Sequence, residues 1–422
     1  MINRTKSLRE RCHIDTDEDG DSFVGIKADS NDAVVYFPIG YQLPETEHEI
    51  KLDIKHLFAI LAAYTQREDR VLHMRKFEAS QSVDFPINAY LVVIEYYINH
   101  GSYYMETETT YKVDTRGRTD WPRTVRNNIP QIQGNSVVYL KRTIRTSKLN
   151  ENNFITEINK YCVYQSFERL GWLYSTDMPP KPSIDFDKNR FLTILRIKLN
   201  HTNNDEDRHL FRSMIAMIEF IDEKTLDKQF YFGTEHFEKV WERLIDVTFG
   251  IKEKEEYFPR TSWKERFGTK KNTPFHVLEP DSIMIVGENY FVLDAKYYRY
   301  GDTGMVGHLP ESTSINKQIT YGEYVYNVKL NRLSCGQRLY NAFIMPFNMK
   351  SNPFGIHNWF GNVAEAIGDW RGGSKKAFER IQGIVIDVRY LMYHCQGNHD
   401  KEKKYLAEEI RKYVDMYNDD SN

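Results

Sequence analysis

The pattern of hydrophobic and polar positions is clearest between residues 275 and 298. Two apolar runs, Ser282–Val286 and Tyr290–Tyr297, are separated by Gly287, Glu288 and Asn289, and residues of this kind favour tight turns. The pattern therefore predicts a hairpin of two strands. Side chains alternate along a strand, so Asp294 and Lys296 are expected on one face of the second strand.

The rest of the chain shows a mixture of the two-residue spacing of strands and the wider spacing of helices. Strands are predicted within 22–41, Ser102–Lys112, Asn341–Phe347 and Ile384–Tyr390. Helices are predicted over Ile54–Thr65, Ile87–Asn99, Phe154–Leu170, Phe191–Leu199, Leu210–Ile221, His236–Phe249, Ser314–Val328, Trp359–Trp370 and Lys401–Met416. This mixture predicts an α/β protein with a mixed sheet flanked by helices and a separate N-terminal α+β domain.

Three charged residues interrupt the apolar hairpin: Asp281 just before its first strand, then Asp294 and Lys296 late in the second. Burying such groups without partners is costly, so a chemical role is one explanation for them. Two carboxylates on adjacent strands can hold one or two Mg²⁺ ions, which prefer oxygen ligands. A lysine beside them can stabilise charge that develops in a transition state. The alternative is an Asp–Lys pair on an edge strand of an ordinary α/β domain.

The order Pro280-Asp281, then Asp294-Ala295-Lys296, resembles the PD-(D/E)xK nuclease signature. The surrounding Leu-Glu-Pro-Asp and Asp-Ala-Lys-Tyr sequences resemble McrC-type restriction subunits, specifically the LlaJI family. The resemblance implies a type II/IV restriction endodeoxyribonuclease that cleaves double-stranded DNA with Mg²⁺, with Mn²⁺ as an alternative metal. It implies that Asp281, Asp294 and Lys296 are catalytic and that the two aspartates bind the metal.

Helices on either side of the hairpin carry further candidates. Nucleases of this superfamily place an acid on the helix before the metal hairpin. Glu238 matches that pattern best and Glu242 is the second choice, while a solvated acidic face is the alternative. After the hairpin, a Gln-x-x-Tyr helix resembles the supporting helix of the superfamily, which implies DNA contacts from Lys317, Gln318 and Tyr321.

A basic stretch follows the predicted strand Ser102–Lys112 and runs from Arg116 to Thr124. Gly117 permits a sharp turn, and arginines surround Trp121. The stretch is predicted either to contain a buried tryptophan that braces a basic loop, or to bind an acidic partner or phosphates. A similar stretch in McrC-type subunits implies docking to a McrB-like AAA+ GTPase. The candidate partner-binding residues are Arg116, Arg118, Trp121 and Arg123.

Composition narrows the choice of function. The formal net charge of the 422 residues is -3, so the chain has no global basic footprint for nucleic acid. The four cysteines have no CxxC spacing, which favours a reducing cytoplasm over a disulfide framework. No apolar run approaches about 20 residues, so no membrane association is expected. No GxxxxGK[ST] motif occurs, so a nucleotide-driven step would need another chain.

These observations predict three segments: a partner-docking domain at 1–146, a helical connector at 147–229 and a PD-(D/E)xK nuclease domain at 230–422. The favoured hypothesis is the endonuclease subunit of a GTP-dependent McrBC/LlaJI-like restriction system for phage defence, with a cognate methyltransferase in the same system. One alternative is a non-catalytic activator or adaptor of an AAA+ GTPase. Another is a stand-alone repair nuclease.

Overall fold

The structure is a computed structural model that describes 6–14, 23–28, 32–65, 86–150, 153–174, 177–221, 230–263, 266, 276–330, 338–368 and 376–419. The strands in these residues are β1 (Cys12–Ile14), β2 (Val24–Ala28), β3 (Ala33–Phe37), β4 (Glu106–Asp114), β5 (Arg118–Thr119), β6 (Gln131–Gln133), β7 (Ser136–Val138), β8 (Arg142–Asn150), β9 (Phe230–Thr234), β10 (Arg260–Thr261), β11 (His276–Val277), β12 (Ser282–Val286), β13 (Asn289–Ala295), β14 (Leu339–Phe347), β15 (Phe360–Ile367) and β16 (Arg380–Asp387). The α-helices are α1 (Glu47–Thr65), α2 (Ile87–His100), α3 (Trp121–Asn127), α4 (Phe154–Leu170), α5 (Lys188–His201), α6 (Asp205–Phe220), α7 (Phe237–Phe249), α8 (Tyr300–Thr303), α9 (Ser312–Tyr324), α10 (Val388–His394) and α11 (Asp400–Asp419). The mixed α/β class is as predicted, and no helix in the described residues is both long and apolar enough to cross a membrane.

The chain divides into two compact units that do not coincide with the three predicted segments. Asp84–Gln229 forms the body of one unit, while Thr5–Ala28, Asp32–Val83 and Phe230–Asn422 form the other. The predicted boundary at residue 146 falls inside β8, which pairs along its whole length with β4. A cut there would divide a sheet.

The larger unit contains a five-stranded sheet with the order β12-β13-β14-β16-β15. β12 and β13 form the predicted antiparallel hairpin, and β13, β14 and β16 then run parallel to one another. Every residue of β14 is buried, as expected for a central strand covered on both faces. The Trp241 indole on α7 donates to the Ile344 carbonyl over 3.1 Å and holds that helix against the sheet.

A second sheet of the larger unit joins distant parts of the sequence, with the order β1-β3-β2-β9. Gly25 of β2 pairs with Gly233 of β9. A Cβ atom at Gly25 would lie 2.2 Å from the Phe232 carbonyl oxygen, and one at Gly233 would lie 2.2 Å from that of Val24. Two glycines are therefore needed where these strands pass so closely.

Helix α1 belongs to the same unit as the hairpin. Asp53 is fully buried on α1 and accepts from the Arg389 guanidinium on α10, with Nε 2.8 Å from Oδ2 and Nη2 3.0 Å from Oδ1. The Tyr393 hydroxyl donates to the same carboxylate. The His56 ring stacks on Tyr393 at 4.3 Å between centroids. The N-terminal sheet and α1 therefore share the core of the larger unit, and the predicted separate N-terminal domain is not confirmed.

The smaller unit contains helices α2, α4, α5 and α6 and a three-stranded sheet with the order β4-β8-β5. Helix α4 spans the predicted range Phe154–Leu170, and α5 and α6 begin three and five residues before the predicted helices, respectively. The short antiparallel pair β6 and β7 projects apolar residues into solvent.

Two predicted elements are wrong. Trp359–Trp370 was predicted to be a helix, but Phe360–Ile367 is the edge strand β15, where a bulge between Asn362 and Ala364 disturbs the two-residue alternation. The predicted strand Ile384–Tyr390 ends at Asp387, because the Asp387 carboxylate accepts from the Tyr390 amide and caps α10.

Candidate active site

The open end of the β12–β13 hairpin brings the two candidate aspartates together. Ser282 pairs with Leu293, so Asp281 and Asp294 follow at the end away from the turn. Asp281 Oδ2 accepts from the Ala295 amide over 2.7 Å, which fixes the first carboxylate against the second strand. The turn itself is closed by Gly287 at a φ of 60°, a left-handed conformation that glycine adopts without strain.

Asp294 and Lys296 lie on the same side of the sheet, where Lys296 Nζ is 2.5 Å from Asp294 Oδ2. Asp294 is 3% exposed. The Lys296 amide donates to the Ile344 carbonyl over 2.8 Å, which extends the pairing between β13 and β14 by one residue. The ammonium is thus held at the carboxyl end of two parallel strands, beside the buried carboxylate.

A third carboxylate, that of Glu242, lies within electrostatic range of Asp281 and Asp294. Burial raises the pKa of Asp281 to about 7, and the neighbouring charges of Asp294 and Glu242 add to this effect. Burial also raises the pKa of Glu242, and Asp294 contributes again. Several carboxylates close together in a partly buried environment are typical of sites that bind a cation or carry out acid–base chemistry.

The choice between the two helix acids therefore favours Glu242 over the predicted Glu238. The Glu238 side chain is directed to His236, with its Oε1 2.9 Å from His236 Nδ1 at the start of α7. Glu242 lies one turn further along, next to the buried Trp241 that anchors the helix. Periodicity places both acids on one face of the helix, but only the docking of α7 on the sheet decides which turn reaches the hairpin.

Glu242→Gln is expected to lower cleavage at least about tenfold, since it removes one charge from the cluster while keeping the shape of the side chain. Glu238→Gln is the matched control on the same helix and is expected to cleave like the unmodified chain. Initial cleavage rates of the two variants at a fixed Mg²⁺ concentration decide the point. If Glu238→Gln lowers the cleavage rate more than Glu242→Gln does, Glu238 is the helix acid, as the sequence predicted.

Helix α9 contributes one exposed lysine and two buried side chains. The Lys317 ammonium is within electrostatic range of Asp281 and Asp294, and a hydrogen bond with Tyr321 helps to raise its pKa. Gln318 is fully buried and donates from Nε2 to the Val292 carbonyl over 2.8 Å. The Tyr321 hydroxyl donates to the Glu279 carbonyl over 3.0 Å. Lys317 alone is placed for the predicted DNA contact, whereas Gln318 and Tyr321 hold α9 against the hairpin.

The chemistry of the donors at the hairpin fits a divalent cation. Across the described part of the chain, no group of three or more His, Cys, Asp or Glu side chains already has the arrangement of a metal site. Asp281 and Asp294 nevertheless meet at the open end of the hairpin, with Glu242 within electrostatic range of both and with Lys296 and Lys317 nearby. Carboxylate oxygens are the ligands that Mg²⁺ prefers, and a cation here would relieve their mutual repulsion.

The predicted partner-binding residues lie in the smaller unit, between β4 and the end of α3. Asp120 caps α3 by accepting from the Arg123 amide over 3.0 Å. The Arg123 guanidinium lies 3.6 Å from the centre of the Tyr111 ring. Trp121 is 54% exposed, so the alternative of a buried tryptophan is wrong. Gly117, at a φ of 127°, passes so close to Ile144 that a Cβ atom would lie 2.4 Å from its methyl group.

Sequence reasoning missed an apolar surface in the segment that follows. We call it the 121–140 surface, and it consists of the exposed side chains of Trp121, Val125, Ile129, Ile132, Val137, Val138 and Leu140. Exposed apolar residues this close together in one segment are typical of a protein-binding site. The signal was present in the sequence, because these apolar residues lie in a segment too short and polar to bury them.

Comparisons with known proteins place the chain in a family. A chain in a solved assembly of Thermococcus gammatolerans McrB AAA+ hexamers with bound McrC matches at a TM-score of 0.36 and 13% identity, over 91% of this chain and 81% of that one. The Bacillus subtilis (strain 168) protein described as type II restriction enzyme BsuMI component YdjA is 26% identical over 284 residues. That match spans 62% of this chain and 57% of the length of that relative. The family model of the LlaJI restriction endonuclease matches residues 23–365, which is most of the chain, and the protein therefore belongs to the LlaJI restriction endonuclease family.

Proposed function

We propose that this chain is the DNA-cleaving subunit of a restriction system and hydrolyses phosphodiester bonds in double-stranded DNA with Mg²⁺. The observation that carries the proposal is the convergence of Asp281, Asp294, Glu242 and Lys296 at the open end of the hairpin. Membership of a restriction endonuclease family supports the same reaction. The strand order around the hairpin supports a nuclease core of the PD-(D/E)xK type.

Asp281 and Asp294 would hold the Mg²⁺ ion, with Glu242 as the third acid. When bound, the ion would supply charge neutralisation at the scissile phosphate and lower the pKa of a bound water. Lys296 keeps its ammonium beside Asp294, where it can donate to a phosphate oxygen or to the attacking water. Lys317 offers an exposed positive charge at the same place for the DNA backbone. Mn²⁺ has similar ligand preferences and is expected to replace Mg²⁺.

A second part of the proposal is that a McrB-like AAA+ GTPase binds the smaller unit and supplies the nucleotide-driven step. The chain has no Walker A motif of its own. The 121–140 surface, with exposed Arg116, Arg118 and Arg123 beside it, combines the aromatic, apolar and arginine residues that dominate protein interfaces. The relative is described as a component of a restriction enzyme, which supports action in a complex. A cognate methyltransferase would protect host DNA.

The partner proposal is tested by replacing Arg118 and Trp121 together with alanine. An interface anchor of this kind contributes about 2 kcal/mol or more, so even if only one of the two residues is an anchor, binding of the co-expressed GTPase should weaken at least about thirtyfold. The control variant replaces Arg196 and Ile197 of α5, which are also exposed in the smaller unit. Affinity is measured on folded samples checked by circular dichroism.

Two outcomes would count against the two-subunit function. If the double variant binds the GTPase like the control variant, the docking surface lies elsewhere. If the isolated chain cuts DNA efficiently and specifically with Mg²⁺ alone, a stand-alone nuclease is the better description. An assembled complex that activates the GTPase but never cuts DNA would favour the non-catalytic adaptor.

A further inference from the structure

Lys254 connects the helix that carries Glu242 with the residue that carries the first active-site carboxylate. Its Nζ donates to the Asp281 backbone carbonyl over 2.5 Å. The same ammonium lies 2.8 Å from Asp246 Oδ1, in the last turn of α7. Both side chains are mostly buried, with Lys254 21% and Asp246 16% exposed. A single ammonium thus spans α7 and the start of β12.

The backbone on either side of this bridge leaves little freedom. The Ile251 amide donates to the Ile283 carbonyl over 2.8 Å, so the loop after α7 is bonded to β12. A Cβ atom at Gly250 would lie 2.4 Å from Asp246 Oδ1 and 2.8 Å from Ser282 Oγ. Direct contacts therefore join the end of α7, the loop after it and the first residue of β12. Lys254 adds a hydrogen bond to the backbone carbonyl of Asp281, the residue before β12.

Asp281 is consequently held at two points. Its carboxylate accepts from the Ala295 amide on β13, and its carbonyl accepts from Lys254. The Asp246 carboxylate compensates the Lys254 charge, and Arg243 Nη1 lies 3.4 Å from the other oxygen of that carboxylate. Charge-assisted hydrogen bonds are shorter and stronger than neutral ones, so this bridge is well suited to fixing a backbone position.

We infer that Lys254 and Asp246 are positioning residues, which set the separation between the Glu242 and Asp281 carboxylates and so prepare the site for a divalent cation. The inference rests on the proposed function, since it assigns the aspartates a metal-binding role. Neither residue needs to touch DNA or the metal. Mutation of residues that orient the ligands of a metal without binding it lowers metal affinity or activity by roughly 10- to 100-fold.

The test measures Mn²⁺ binding to the purified full chain by titration calorimetry, without DNA or partner. Lys254→Met keeps the aliphatic stem and removes the charge and the donors. It should weaken Mn²⁺ binding at least about tenfold. Lys252→Met is the matched control, because Lys252 is exposed two residues away in the same loop. Lys254→Arg should recover part of the affinity, since it restores a donor and a charge.

Three results overturn the inference. A folded Lys254→Met chain that binds Mn²⁺ as tightly as Lys252→Met would show that the bridge does not prepare the site. The second result concerns both residues of the pair. If Lys254→Met is unfolded and Asp246→Asn binds Mn²⁺ with unchanged affinity, the pair only stabilises the fold. If the unmodified chain fails to bind Mn²⁺, or if Asp294→Asn binds it as tightly as the unmodified chain, the proposed metal site itself fails, and the inference fails with it.

Discussion

Replacing Asp294 with alanine is expected to abolish DNA cleavage while the chain stays folded. The carboxylate is 3% exposed and lies against Lys296 at the end of a strand inside the sheet. Metal-assisted charge stabilisation contributes several kcal/mol, and each 1.4 kcal/mol is a factor of ten in rate. The cleavage rate should therefore fall at least about a thousandfold.

The measurement is plasmid cleavage by the complex with its partner, with circular dichroism on the same samples. Glu288→Ala, in the exposed turn of the same hairpin, is the control and should cleave normally. Asp294→Asn is a second variant that keeps the volume of the side chain but removes its negative charge, and it should be equally inactive. Normal cutting by either Asp294 variant would remove this residue from the active site.

Asp53→Ala is expected to lower the free energy of unfolding by roughly 3 kcal/mol, because it leaves the Arg389 guanidinium and the Tyr393 hydroxyl without their shared acceptor. Removing one partner of a buried pair costs about 3–5 kcal/mol. The lower end of this range applies because the Arg389 side chain is 36% exposed. The prediction tests whether α1 is part of the core of the larger unit.

Urea unfolding followed by tryptophan fluorescence gives the free energy of both the variant and its control. The control is Glu49→Ala in the first turn of α1, where the exposed carboxylate accepts from the Thr46 hydroxyl. Loss of such a capping contact costs about 1 kcal/mol. If Asp53→Ala is no more destabilising than Glu49→Ala, then α1 is peripheral to the core.

The hairpin could be predicted from the sequence because every signal for it is local. The apolar runs, the turn at Gly287 and the charged residues at the open end all lie within 20 residues of one another. Strand alternation then places Asp294 and Lys296 on one side without any knowledge of the rest of the fold. Helix α4 was predicted correctly for a similar reason, since its spacing of buried residues is regular from end to end.

Strand β15 could not be predicted, because its apolar residues do not alternate. The bulge between Asn362 and Ala364 shifts the register, and the spacing of apolar residues then imitates a helix. The strand is stabilised by its pairing with β16, which includes a bidentate pair of hydrogen bonds from the Arg380 guanidinium to the Glu365 carboxylate. Tertiary pairing thus overrides the local pattern.

The division of the chain into two units could not be predicted from the sequence, for a different reason. β2 pairs with β9 across about 200 residues, and the carboxylate of Asp53 meets Arg389 from the other end of the chain. No local pattern specifies a partner at that separation. For the same reason, the sequence could not identify Glu242 as the helix acid or reveal the contact of Lys254. Both depend on how α7 and its loop pack against the hairpin.

We propose that Asp281 and Asp294 form one metal-dependent centre for DNA cleavage. Anomalous diffraction from crystals soaked in Mn²⁺, at a concentration that supports cleavage, tests it most directly. We expect an anomalous peak within coordination distance of both carboxylates, with Glu242 close by, and no such peak in Asp294→Ala crystals. A cleavage-competent chain with Mn²⁺ bound elsewhere, and none at these aspartates, would contradict it.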